Sequence, residues 1–159
     1  MASPYLQRCL QLQENATYTA ETHHILAKRQ QLWYKVFQLF PAITSAIMGT
    51  LAADQVVPHW TGTLALIAAI VTAIGTVFNP LASYYEHLSA AKAFTTLKHD
   101  ACEIGEVGGL LSEEQLAERV RCIHNRYNDV VRLAPPTEDW AFEQARKRIQ
   151  QGVHKPDEH

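Results

Sequence analysis

Residues 61–78, TGTLALIAAIVTAIGTVF, decide how the rest of the chain is read. They contain no Asp, Glu, Lys or Arg, and their bulk comes from Leu, Ile, Val and a terminal Phe. At 1.5 Å per residue a helix of this length reaches about 27 Å, close to the roughly 30 Å of a bilayer's hydrocarbon core. A second charge-free run, Val36 to Ala53, precedes it. Between Val36 and Tyr85 the only charged residue is Asp54, although the chain carries 14 Lys+Arg and 16 Asp+Glu. The formal charge of -2 and the mean hydropathy of -0.15 therefore average over a segregated sequence, apolar in the middle and charged on both flanks. Burying two adjacent apolar helices in a soluble bundle takes a larger protein than 159 residues. The expectation is two membrane-spanning helices.

Working outward, DQVVPHW (residues 54–60) joins the two runs, with Pro58 as a breaker and Trp60 suited to a membrane interface. This connection has no Lys or Arg, whereas Lys28, Arg29 and Lys35 precede the first run and Lys92 and Lys98 follow the second. The excess of positive charge on the flanks places both tails in the cytoplasm and the connection outside. The long polar leader before the first apolar run is a poor match to a signal peptide. Cys9, Cys102 and Cys122 are widely spaced and form no CxxC pair, which suits a reducing compartment.

The flanks read as helices. Ser3-Pro4 opens a segment with no further Gly or Pro before Pro41, and Tyr5, Cys9, Leu12, Ala16, Thr19, His23 and Leu26 alternate at spacings of four and three. That seam fits packing on the rest of the chain or a contact between subunits. After the second apolar run the helix is expected to continue with a disturbance at Pro80 and to stop at Val107-Gly108-Gly109. Ser112 and Gln115 form a capping box for a helix whose Leu116, Val120, Ile123, Tyr127 and Val130 make a second seam, read as an oligomer contact. Beyond Ala134-Pro135-Pro136, Thr137 is placed to cap a last amphipathic helix bearing Trp140, Ala145 and Ile149. The fold class expected is all-α, a two-span transmembrane helical hairpin with a long N-terminal helix and C-terminal cytoplasmic helices. Its segments are 1–31 (cytoplasmic helix), 32–53 and 61–82 (transmembrane helices), 54–60 (external loop), 83–152 (cytoplasmic helices) and 153–159 (flexible tail).

Small and polar residues in the two runs fall on stripes. Gln38, Ala42, Ser45, Gly49 and Ala52 share one face of the first run, and Ala65, Ala68, Thr72, Thr76 and Asn79 one face of the second. Val36, Phe40, Ile43, Ile47 and Leu51, and Leu64, Ile67, Val71, Ile74 and Phe78, make the bulky opposite faces. Gln38, Ser45, Gly49, Thr72, Thr76 and Asn79 thus mark either close helix packing or the lining of a water path in a multi-subunit ring. With no charge buried in either run, an ion-coupled transporter is disfavoured.

Motifs for catalysis are missing: there is no HExxH, nucleophile elbow, phosphate loop or dinucleotide fingerprint. The expectation is a protein that is not an enzyme and uses no cofactor. His99, Cys102 and Glu103 share a helix face, with Cys122 and His124 as further candidates across the turn, but no paired motif fixes a metal's geometry and no metal is assigned. The adjacent His23 and His24 point to different faces of their helix. The near-neutral charge gives no nucleic-acid footprint.

At the exit of the second run, TVFNPLASYYEHLSAAKAFTTLKHDACEI carries an Asn, then a His, small residues, an aromatic and a Leu: Asn79, His87, Ala90, Ala91, Phe94 and Leu97. Together with the paired apolar runs, over about residues 32–104, this resembles the SLATT family, the SMODS- and SLOG-associating two-transmembrane effectors of prokaryotic conflict systems. Pro80 and the two tyrosines depart from the family's more helical, less aromatic stretch. The resemblance implies a membrane effector of an antiphage, abortive-infection system that oligomerises and permeabilises the inner membrane when a partner or nucleotide signal triggers it. It implies membrane lipid and further copies of the chain as partners, and a separate sensor protein: a nucleotidyltransferase, a SLOG-type protein or a reverse transcriptase. A two-span adaptor that anchors a soluble partner without forming a pore is the alternative.

Overall fold

The computed structural model describes residues 3–53 and 58–152. Its α-helices are α1 (Pro4–Ala53), α2 (Thr61–Phe78), α3 (Pro80–Val107), α4 (Glu113–Leu133) and α5 (Asp139–Gln150), with a 3-10 turn at Gly108–Leu110. Among the described residues there is no strand. Most of the expected external loop, residues 54–57, and the expected tail at 153–159 lie outside the described residues.

Two compact units divide the chain. Unit 1 takes its described residues from Met1–Ala27 and Tyr85–His159, and unit 2 is Lys28–Tyr84. The boundary expected at residues 31 and 32 is no break in the helix, because nothing between Pro4 and Pro41 interrupts helical hydrogen bonding. Even Pro41, which has no N–H to donate, sits inside α1 without ending it.

Unit 1 is built on seams that match each other. Cys9, Leu12, Ala16 and Ala20 of α1 pack with Phe94, Leu97, Ala101 and Ile104 of α3 and with Leu116, Val120 and Ile123 of α4. Tyr127 and Val130 lie partly buried against this cluster. The Cys9 thiol donates to the Ala101 carbonyl at 3.1 Å, and burial, helped by Cys102, pushes its pKa up. α5 closes a smaller cluster in which Ile25 and Leu26 meet Ala141 and Ala145. Arg148 of α5 pairs with the mostly buried Glu21 of α1 at 2.9 Å.

The ends of the helices follow local chemistry. The Ser112–Gln115 capping box forms in both directions, Ser112 N donating to Gln115 Oε1 at 3.1 Å and Gln115 N to Ser112 Oγ at 3.3 Å. Two expectations need correction. α5 begins at Asp139 with Glu138 in the N-cap position, so Thr137 does not cap it, and Trp140 is exposed while Ala141 and Ala145 carry the buried face. The second apolar helix does not run on to residue 82 either: it ends at Phe78. Asn79 adopts φ 40°, ψ 59°, its N–H donating to the Gly75 carbonyl at 3.1 Å, and its own carbonyl then accepts from Ala82 N to start α3. The residue before a proline is pushed out of the right-handed helical region, Asn is among the few residues that tolerate the left-handed one, and Pro80 needs no N–H in a first turn. One residue therefore stops one helix and starts the next.

Candidate functional site

In unit 2, α1 and α2 lie against each other through stripes that the sequence reading did not single out. On α1 the sheltered positions are Tyr34, Phe37, Pro41, Thr44, Met48 and Leu51, and on α2 they are Thr61, Leu64, Ala68, Val71 and Gly75. Each set follows alternating spacings of three and four. Phe37 fills the space left by Gly75, where an added Cβ would come within 2.9 Å of the phenylalanine Cβ and Cγ. Leu51, Leu64 and Val71, assigned by their spacing to the bulky outer faces, are instead half-buried.

The polar stripes come together beside that contact rather than within it. Gln38, Thr72, Thr76 and Asn79 line one shallow hollow with Tyr34, Phe37 and Gly75. Ser45 and Thr72 line the next, with Pro41, Thr44 and Ala68. Thr72 belongs to both, so the two hollows run along one edge of the pair. Gln38, Ser45, Gly49, Thr72, Thr76 and Asn79 are all exposed, and Gly49 lines neither hollow.

The hydroxyls on this edge donate to their own helices. Thr72 Oγ1 donates to the Ala68 carbonyl and Thr76 Oγ1 to the Thr72 carbonyl, each at 2.9 Å, and buried Thr44 does the same to Phe40 at 2.8 Å. An unmade hydrogen bond in hydrocarbon costs several kcal/mol, so this back-bonding makes threonine compatible with lipid. Around the edge the surface is apolar: Val36, Leu39, Phe40, Ile43 and Ile47 of α1 and Leu66, Ile67, Ile70, Ile74, Val77 and Phe78 of α2 are exposed. In the most apolar 18-residue windows of the two helices, 6% and 11% of residues are buried. A core helix of a water-soluble domain is instead mostly buried. Both helices are long and apolar enough to cross a membrane.

The motif beyond the second run divides between the units. His87, Ala91, Phe94 and Leu97 form the buried face of α3 in unit 1, whereas Asn79 is the helix break in unit 2. The second seam is corrected: Leu116, Val120 and Ile123 are buried within the chain and Tyr127 and Val130 pack on the same core, so these side chains are not held out for another subunit. The first seam likewise supplies core residues of its own chain.

One feature of unit 1 escaped the sequence reading. His23, discounted beside His24, meets His87 across 64 positions of sequence with its Nδ1 3.0 Å from the His87 Nδ1. The ring of His23 also stacks on Phe94, centroids 5.7 Å apart and 8° from parallel, and Tyr127 meets Phe94 edge-on. Burial, then the neighbouring His87 and His24, hold the His23 pKa down at about 4. Burial also lowers that of His87, against the opposing pull of Glu86 and Glu138. The usable signal was that both histidines fall on otherwise apolar helical stripes. Among the described residues, no three of His, Cys, Asp and Glu converge as a metal site would require. No family model, curated protein or solved structure matches the chain.

Proposed function

We propose that this protein is a membrane effector of a prokaryotic antiphage, abortive-infection system, of the SLATT kind that its sequence resembles. It acts without catalysis. α1 from about residue 32 and α2 form a transmembrane hairpin in the inner membrane with both termini cytoplasmic, and unit 1 forms the cytoplasmic helical part. Copies of the chain assemble through the membrane helices and permeabilise the bilayer when a separate sensor protein or a nucleotide signal triggers them. The observation that carries this reading is the bareness of the apolar pair: its widest apolar surfaces are exposed, and the hollow-lined edge bearing Gln38, Ser45, Thr72 and Thr76 interrupts them. Lipid satisfies the first surface, and a neighbouring hairpin or a line of water satisfies the second. Two helices are too few to enclose a channel, so permeation requires several copies.

The test is leakage of a small dye and of ions from liposomes of inner-membrane composition containing the purified full chain, with and without a candidate nucleotide activator or sensor protein. Trigger-dependent release is the expected result. Correct insertion with no release under any trigger that makes the protein toxic in cells would overturn pore formation and favour the anchoring adaptor.

A further inference from the structure

The histidine pair lies in unit 1 and stands apart from the membrane reading. His23 is 1% exposed and His87 8% exposed, and their ring centroids are 5.2 Å apart. A neutral imidazole nitrogen either donates its N–H or accepts through a lone pair. A 3.0 Å contact between two Nδ1 atoms therefore requires unequal tautomers, one ring carrying its proton on Nδ1 and the other on Nε2. The stack of His23 on Phe94, itself packed by Tyr127, ties the rings to the core shared by α1, α3 and α4.

We propose that His23 and His87 form a proton-operated latch between α1 and α3, closed while a single proton lies between the two Nδ1 atoms and opened when both rings become imidazolium. The proton count is explicit. The closed neutral pair holds two N–H protons, one on the donor's Nδ1 and one on the acceptor's Nε2. A first added proton goes to the donor's Nε2 and leaves the bond intact. A second must go to the acceptor's Nδ1, the atom already accepting, so it is taken up only as the bond breaks and two like-charged N–H groups face each other.

The surroundings set which ring is which. From α3, Glu86 favours charge on His87, as does Glu138 just before α5, whereas from α1 His24 opposes charge on His23, and from α4 Tyr127 meets Phe94 edge-on. His87 thus takes the first proton and donates, and His23 accepts until the bond opens. Because the closed state holds both rings below the ordinary histidine value, it binds fewer protons than the open one. Its stability is fully present above about pH 6.5 and falls as the pH drops toward 4.

Two measurements on the full chain in detergent micelles test this. Nitrogen-15 imidazole spectra at pH 7.5 are expected to show one ring protonated on Nδ1 and the other on Nε2. Hydrogen exchange, corrected for the intrinsic pH effect, is expected to rise about tenfold or more in residues 16–27 and 85–97 between pH 6.5 and 4.5, the response to one pKa unit or more of linkage. His87→Gln, which can still hydrogen-bond but not titrate, should diminish that rise, the remainder coming from the burial of His23 itself. Two identical tautomers at pH 7.5, or a flat exchange profile in the wild type, would overturn the latch, as would an undiminished rise in the variant. Should His87→Gln fail to fold, His23→Gln serves in its place, and the wild-type spectra decide the tautomers without any variant.

Discussion

Phe37 and Gly75 occupy one volume between α1 and α2: an added Cβ at Gly75 would lie 2.9 Å from both Cβ and Cγ of the phenylalanine. The phenylalanine Cβ is fixed by the backbone, so no rotamer change can move it out of the way. Gly75→Ala is expected to destabilise the pair by about 1–3 kcal/mol, the range for overpacking. Gly62→Ala, where nothing lies within 4 Å, should be neutral or slightly stabilising. Thermal unfolding of both variants in the same micelle is the measurement, and equal midpoints would count against the contact.

Asn79 gives a second check on unit 2. Its left-handed backbone costs an ordinary residue about 1–2 kcal/mol, a cost that glycine avoids. Asn79→Ala should therefore lower the unfolding midpoint while Asn79→Gly stays near wild type. The reverse order would mean that the side chain of Asn79, not its backbone, matters at the break.

Ile123 is 3% exposed in the core of unit 1. Ile123→Ala should cost about 2–5 kcal/mol, and Ile123→Asp should unfold the unit because it buries a carboxylate with no partner. Circular dichroism together with sedimentation separates the outcomes. Dissociation into well-folded single chains would restore α4 as a contact between subunits.

The proposed topology is read with an impermeant maleimide on intact cells. His59→Cys, in the connection between α1 and α2, should label, whereas the exposed native Cys122 should label only after the membrane is opened. Labelling of Cys122 in intact cells would place the tails outside.

If the polar edge meets other copies or water, Thr72→Leu or Thr76→Leu should reduce leakage and toxicity at equal expression and insertion. Ile67→Leu and Ile74→Leu, on exposed apolar surface, should change little. Equal toxicity of all four variants would shift the weight to the anchoring adaptor.

How far the sequence could be read depended on contrast. α4 was legible because its apolar residues stand out among charged ones and its capping box has a fixed spacing. The face of α1 that meets α2 was not, since in an apolar helix every stripe is apolar and periodicity carries no signal; Phe37 and Thr44 became distinguishable only beside Gly75 and Ala68. The break at Asn79 was displaced to Pro80, the visible breaker, because a left-handed asparagine leaves no mark in composition. The polar residues Gln38, Thr72, Thr76 and Asn79 were found by spacing, and the structure puts them on one edge, but His23 and His87 needed three dimensions to meet.

The back-bonded threonines carry a consequence for charge selectivity. With their hydroxyl protons committed to Ala68 and Thr72, the side chains of Thr72 and Thr76 have only oxygen lone pairs left to offer outward. A conduit running past them would solvate a passing cation through those oxygens and offer no hydroxyl proton to an anion, so under a potassium chloride gradient its reversal potential should lie on the potassium side of zero.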